Sequence, residues 1–452
     1  MPPPESPKKI TGLVEVDPIV IEDIKREVKN ISEFKAKLER SLHKRTTELV
    51  EIILAASFFL EGSDVHIEPE EKRVKFRLRV DGALHDVIYF DLKLYKTLLA
   101  RIKLLSELKL NVTTRPQDGR FSILIEDVSI EVRTSTIPAE YGESVVMRVL
   151  NPKWVVKMDS LGLREDLLEI FRKEIQKPNG MIIATGPTGC GKTTTLYAFL
   201  QEIINPEIKI ITIEDPIEYH LKGVSQTQVD EPKGYNFANG LRAIVRQDPD
   251  VILVGEVRDF ETAQIALQAA LTGHLVLSTV HTNDAAGTVA RLQALGEKPP
   301  NIAPAVNMAI AQRLVRKVCK KCGGMKTVSP EELKKLKKFL KNLPEKVKKQ
   351  IPEIKPGIKI PKTKGCPDCN FTGYRERIGI FETFIIDDEM EKFILKSPSI
   401  AEMRQMAIKK GMVLMHEDGL IKVLKGVTTI EEVERITGEG EEIYYIPQAQ
   451  TL

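Results

Sequence analysis

The stretch Gly186-Pro187-Thr188-Gly189-Cys190-Gly191-Lys192-Thr193 constrains this chain more than any other. A glycine, four residues, a second glycine, a lysine and a threonine form the pattern of a phosphate-cradling loop. The flanks agree, with an apolar run at residues 181–185 before it and a helical stretch after it. Glycines let backbone N–H groups converge on phosphate oxygens. Lys192 is placed to neutralise β and γ phosphates and Thr193 to ligand Mg²⁺, while the helix N-terminus adds favourable partial charge. The candidate nucleotide contacts are Gly186, Pro187, Thr188, Gly189, Cys190, Gly191, Lys192, Thr193 and Thr194. Cys190 fills a variable position, with a redox role as the minor alternative.

Residues 151–318 alternate apolar strands with helical stretches, which predicts a parallel sheet with helices on both faces. The strand candidates are residues 181–185, 209–213, 251–254 and 275–280. Ligands of such sheets bind beyond the carboxyl ends of the strands. There the sequence places Glu214, Asp215 and Glu218, then Glu256, then His281. Carboxylates at that edge can hold Mg²⁺ through water or activate the attacking water, and a histidine can sense the γ-phosphate. Any one of them alone reads as a solvated turn or a structural histidine; three in succession on one edge do not.

The chain has 452 residues, 42% hydrophobic and 29% charged, enough for about three domains. With 67 Lys plus Arg against 64 Asp plus Glu, the formal charge is +3. That near balance excludes a general polybasic coat, and one Trp with 6% aromatics offers few base-stacking platforms. No nucleic-acid partner is therefore expected. No apolar run approaches the ~20 residues that span a bilayer, and the N-terminus lacks signal-peptide regions, so the expected location is cytoplasmic.

The first 18 residues are Pro-rich and polar, a flexible lead. In residues 19–44, Ile21, Ile24, Val28, Ile31, Phe34, Leu38 and Leu42 recur at helical steps, predicting one amphipathic helix packed on its own domain. Residues 45–150 read as a small α+β domain. Within it, residues 72–80 alternate as a half-buried strand with Lys75, Arg77 and Arg79 outside, ending in the turn pair Asp81-Gly82. A second hairpin turns at Glu126-Asp127, pairing Ile125 with Val128, Ile123 with Ile130 and Phe121 with Val132. That register sets Arg120 opposite Arg133, an unfavourable like-charge pair suited to an anion.

Cys319-x-x-Cys322 and Cys366-x-x-Cys369 have the knuckle spacing of tetrahedral zinc. Four thiolates leave no open position, so the site is expected to be structural. Together with the Lys-rich segment between them they define residues 319–375. Ser329-Pro330-Glu331-Glu332 marks a helix start there. The lysines of residues 334–349 read as a solvated helix face, with Leu333, Leu336, Phe339 and Leu340 as the packing side; contact with anionic lipid or nucleic acid is the alternative. Residues 376–452 read as short helices with Gly411 and Gly426 between them.

Several blocks together resemble the secretion-superfamily ATPases of type II secretion and type IV pilus assembly, the GspE/PilB family. They are Ser63-Asp64-Val65-His66-Ile67-Glu68-Pro69, Arg115-Pro116-Gln117-Asp118-Gly119-Arg120, the phosphate loop, Ile213-Glu214-Asp215-Pro216-Ile217-Glu218-Tyr219, Asp248-Pro249-Asp250 with Arg258-Asp259, and Gly273-His274 with His281-Thr282-Asn283-Asp284. The resemblance implies an α/β fold: a RecA-like P-loop core, an N-terminal PAS-like α+β domain and a zinc-binding C-terminal insertion. It makes Ile213 to Glu218 an aspartate box, Val251 to Glu256 an atypical Walker B and His274 to His281 a histidine box. Glu218 would be the base for water, Glu256 the Mg²⁺-side carboxylate, and Glu214 and His281 further nucleotide contacts. Arg120 and Arg133 would act as arginine fingers, with Arg115 and Arg148 as weaker candidates; a solvent-exposed pair held by local carboxylates such as Glu131 or Glu143 is the alternative. The implied cofactors are ATP, Mg²⁺ and Zn²⁺. The implied assembly is a homo-hexameric ring on an inner-membrane platform protein, peripheral at the membrane. A nucleic-acid motor and a catalytically silent nucleotide-binding module are the alternatives.

Overall fold

The structure, a computed structural model, describes residues 12–151 and 156–439. The chain divides into two units. The first holds the N-terminal region with Cys319–Cys322 and Lys364–Arg375; the second holds the chain from residue 154 to Val318, Gly323–Thr363 and the chain from Glu376 on. The two cysteine pairs and the Lys-rich segment between them, one stretch in the sequence, thus fall in different units. Among the described residues no helix is long and apolar enough to cross a membrane.

The first unit is a seven-stranded sheet with helices on one face. Its strands are β1 (Leu13–Glu15), β2 (Gly62–Pro69), β3 (Val74–Val80), β4 (Ala83–Phe90), β5 (Gln117–Ile125), β6 (Val128–Ala139) and β7 (Gly142–Leu150), in the order β1-β5-β6-β7-β2-β3-β4. The hairpin register holds as read: Arg120 pairs with Arg133, Phe121 with Val132, Ile123 with Ile130 and Ile125 with Val128. Strand β3 also alternates as read, but its basic face is neutralised by neighbouring strands. Lys75 pairs with Asp86 at 2.9 Å, Arg77 with Glu68 at 2.5 Å and Arg79 with Asp64 at 3.4 Å.

Two expectations are corrected in this unit. The single amphipathic helix is two, Pro18–Glu27 and Ile31–Ser41. Asn30 breaks the run, its Oδ1 accepting from Glu33 N to cap the second helix. Both helices keep the apolar stripe in one core, since Ile21, Ile24, Val28, Ile31, Phe34 and Leu38 are all buried. The lead at residues 1–18 lies outside the described residues only as far as residue 11. Leu13–Glu15 pairs parallel to β5, drawn in by the burial of Val14 and Val16.

The second unit carries β8 (Gly180–Thr185), β9 (Ile210–Glu214), β10 (Ser225–Gln228), β11 (Val251–Val254), β12 (Leu275–Val280) and β13 (Val306–Val318). A small pair, β14 (Gly324–Thr327) and β15 (Lys359–Lys362), and a long strand β16 (Tyr374–Ile385) follow. The main sheet runs β10-β9-β11-β12-β8-β13-β16, parallel from β10 through β13. Apolar clusters cover both faces. The region from residue 376 opens with most of β16 rather than a helix, because Ile380, Phe381 and Phe384 are wanted in the core. The short helices follow, turned at Gly411 and Gly426 in left-handed conformation.

In the Lys-rich segment the helix Pro330–Leu340 starts with a complete capping box between Ser329 and Glu332. Leu336 and Leu340 are buried, and Leu333 and Phe339 pack partly against the same cluster, which includes residues of the C-terminal helices. Lys334, Lys337, Lys338 and Lys341 face outward.

Candidate functional site

Strands β8, β9, β11 and β12 end at one edge, in register: Val254 lies beside Ile213 and Ser278, and Val280 beside Thr185. The phosphate loop follows β8 there, and the helix Lys192–Ile203 starts from it. Gly186 takes φ +146°, and a Cβ on it would sit 2.6 Å from Cys190 Sγ and 2.7 Å from Gln312 O. Gly189, at φ +78°, has nothing within 4 Å of such a Cβ. The first glycine lets the loop pack; the second leaves its open side bare of side chains, as close approach of a phosphate requires. Lys192 Nζ donates to Gly186 O at 2.8 Å and Pro187 O at 3.2 Å. Burial lowers its pKa, while the charge on Glu256 pushes the other way. Thr193 and Thr194 are half-buried on the first helical turn. Cys190 is buried and its thiol is pushed up by that burial, away from thiolate reactivity.

Glu256 follows β11 and His281 follows β12. His281 Nε2 lies 3.2 Å from Glu256 Oε2, and Arg258 holds the other oxygen. Burial favours the neutral acid, but Arg258 and His281 outweigh it and hold Glu256 below the usual carboxylate range. Arg258 also stands 4.0 Å from Asp215 after β9. The carboxylate therefore stays ionised at this sheet edge.

Glu214 is placed differently. It is buried, and its carboxylate takes hydrogen bonds from Tyr197, Thr212 (2.6 Å) and Gln226 (3.2 Å). Burial pushes its pKa up. In that position it ties the end of β9 to the helix Lys192–Ile203 and to β10. Glu218 lies four residues further on, half-buried, beside Tyr219, whose ring packs edge-on against Tyr197 at 4.8 Å.

Sequence reading missed the residues that tie this edge together. Thr185 Oγ1 lies 3.1 Å from Val280 O and 2.7 Å from Thr282 Oγ1, joining the phosphate-loop strand to the histidine segment. Gln312 Nε2 donates to Cys190 O at 2.8 Å, and Arg313 donates to Asn283 O at 2.9 Å. Both lie on β13, next to β8 in space but far from the loop in sequence, so no local motif announces them.

In the first unit, Arg120 is exposed and forms no ion pair among the described residues. Arg133, opposite it, is held by Glu131 through Nε at 3.0 Å. Glu143, the other local carboxylate that could have served, is committed to a buried pair with Lys103 at 2.5 Å. Arg115 is exposed in a loop; Arg148, on β7, pairs with Asp64 at 2.9 Å.

The four cysteines converge, with their Sγ atoms all within 4.8 Å of one another. Cys319 and Cys366 lie 3.9 Å apart, Cys322 and Cys369 3.7 Å, and Cys366 and Cys369 3.7 Å. Tetrahedral bonds of about 2.3 Å set sulfurs roughly 3.8 Å apart, so the spacing fits zinc. Backbone N–H groups of Cys366 and Gly373 point at Cys369 Sγ, at 3.2 and 3.3 Å, as a thiolate would favour. Asn370 turns the knuckle and accepts from Ile31 N at 2.7 Å, pinning it to the second N-terminal helix.

Comparison with known proteins gives the family and the fold. The family model described as "Type II/IV secretion system protein" matches residues 40–435. Type II secretion system protein E of Xanthomonas campestris pv. campestris is 42% identical over 394 residues, 87% of this chain and 67% of the relative. The type IV pilus assembly ATPase PilB of Thermus thermophilus is 41% identical over 387 residues, 85% of this chain but 42% of the relative. Among solved structures, the pilus retraction motor PilT with bound ADP is similar at a TM-score of 0.56 and 25% identity, covering 85% of this chain and 95% of that one. The Legionella pneumophila ATPase DotB shares the fold at a TM-score of 0.61 and 20% identity, over 85% and 94%. The chain thus belongs to the type II/IV secretion system protein family and is an ATP-hydrolysing P-loop enzyme.

Proposed function

We propose that this chain is a ring-forming mechanochemical ATPase that powers type II secretion or type IV pilus assembly from the cytoplasmic side of the inner membrane, working on a membrane platform protein. The observation that carries the reading is the Glu256–His281 pair, held at the same sheet edge as Lys192 and Thr193. The loop amides and Lys192 bind the β and γ phosphates. Thr193 and Glu256 hold Mg²⁺, which when bound draws charge from the phosphate oxygens. Glu218 takes a proton from the attacking water, and His281, hydrogen-bonded to Glu256, registers the γ-phosphate.

Arg120 and Arg133 act from the first unit of a neighbouring copy in the ring, gripping phosphate oxygens through paired N–H donors. The four cysteines hold a structural Zn²⁺. The experiment is steady-state ATP hydrolysis by the full chain, with and without single-stranded DNA. Hydrolysis that DNA leaves unchanged supports the reading. Strong stimulation by DNA would favour a nucleic-acid motor, and no hydrolysis would favour a silent binding module.

A further inference from the structure

The strand registers of the first unit place five charged residues in one lateral row. Across β3, β2, β7, β6 and β5 the row reads Arg79, Asp64, Arg148, Arg133, Arg120. It lies on the face of the sheet away from the core, since the adjoining Leu78, Val65, Met147, Val132 and Phe121 are all buried. Four guanidinium groups thus stand abreast with one carboxylate among them. Like charges facing one another across strands are destabilising, as are Arg148 against Arg133 and Arg133 against Arg120 here.

Asp64 is the exception in sign and in burial. Its side chain is 9% exposed, while that of Arg148 is 52% exposed. Asp64 Oδ1 accepts from Arg148 Nε at 2.9 Å, Oδ2 stands 3.4 Å from Arg79 Nε, and Ser63 Oγ donates to Oδ2 at 2.8 Å. Nε is the inner edge of a guanidinium. A carboxylate that grips there from the sheet surface aims the outer fork away from it. Glu131 likewise accepts from Arg133 Nε, at 3.0 Å. The burial and the two-sided grip make Asp64 a pivot, not one more surface charge.

We infer that Asp64 is a positioning residue for ATP hydrolysis: it holds Arg148 in line with Arg133 and Arg120, as a third guanidinium for the nucleotide's terminal phosphate. The inference rests on the proposed role of Arg120 and Arg133, and goes beyond it in naming the carboxylate that orders the row.

The test is a double-mutant cycle in the full chain, reading kcat and KM for ATP. Asp64→Asn keeps the shape and removes the charge. It should lower kcat by about 10–100-fold, the scale of a misplaced catalytic group, with KM little changed because the phosphate loop is intact. Asp64→Asn combined with Arg148→Ala should be no worse than Arg148→Ala alone, since both remove the same guanidinium from its place. Losses that multiply, or an unchanged kcat in Asp64→Asn, would overturn the inference. Arg148→Lys covers the case in which Asp64→Asn fails to fold, because its side chain is largely exposed. Lysine cannot offer Nε to Asp64 and a fork to phosphate together, so Arg148→Lys should lose as much as Arg148→Ala; parental activity in it would overturn the inference. If Arg120→Ala and Arg133→Ala are themselves parental, the underlying role of the arginines fails; if only they are impaired, the failure belongs to Asp64 and Arg148.

Discussion

Lys192 is bonded to its own loop through Gly186 O and Pro187 O, and binding a nucleotide exchanges those carbonyls for phosphate oxygens. No other group in the loop can neutralise the phosphates, so Lys192→Ala should abolish hydrolysis. Glu256→Gln keeps the size but loses the charge that Arg258 and His281 hold in place. It should bind ATP and turn it over at a small fraction of the parental rate, as should Glu218→Gln. Normal turnover in Glu256→Gln, measured by phosphate release, would remove Glu256 from the metal side of the site. Arg120→Ala and Arg133→Ala should each cut turnover steeply, toward the ~10³-fold lower bound typical of an arginine finger, with unchanged melting temperature. Turnover within about threefold of the parent would leave them as surface charges. The sequence disclosed the opposition of Arg120 and Arg133 because the apolar pairs of that hairpin alternate with period two. It offered Glu131 and Glu143 alike as carboxylates that could hold the pair; that Glu131 is the one that does, and that Glu214 is buried, was not legible, because a carboxylate's partner is fixed by strand packing.

At the scale of elements, the zinc knuckles and the C-terminal helices carry distinct stability signatures. Cys366→Ser removes one of four sulfurs, and metal binding at such sites is folding free energy. The variant should melt lower, and protein purified without chelators should contain one zinc per chain. Unchanged melting or no zinc on elemental analysis would count against the site.

The region after residue 376, strand β16 and the C-terminal helices together, should respond to pH from both sides. Glu432 is buried, and although burial favours the neutral acid, hydrogen bonds from Arg435 and Arg316 hold it down to about 2. Its folded value lies below the ordinary ~4.3, so it contributes on the order of 2–3 kcal/mol that is present above that value and lost as pH falls toward 2. Glu382 is shifted the other way, up to about 7, by burial and then by Asp284. Its contribution is complete below ~4.3 and is lost as pH rises through 7. Glu382→Gln should therefore flatten the fall of melting temperature between about pH 4.3 and 7, the span of that shift; an unchanged slope would contradict the assignment. The helices were legible from capping residues such as Ser329 and from Gly411 and Gly426. Strands β13 and β16 were not: Ala309, Ile310 and Ala311 are buried without alternation, so no period-two signal marks them.

For the whole molecule, the motifs of one unit were the clearest text in the sequence, because phosphate chemistry fixes residue types at fixed spacing. The arginines of the other unit were legible only as the opposed pair Arg120 and Arg133; the longer row needed the strand order. In the proposed ring, the phosphate loop of one copy is completed by the arginines of another. The most direct test of this is ATP hydrolysis by an equal mixture of Lys192→Ala and Arg133→Ala chains, each nearly inert alone, assembled under conditions where rings form. The mixture contains interfaces with an intact loop and intact arginines, so hydrolysis should reappear well above the sum of the separate variants. A mixture that stays at that sum, with rings demonstrably formed, would contradict the account.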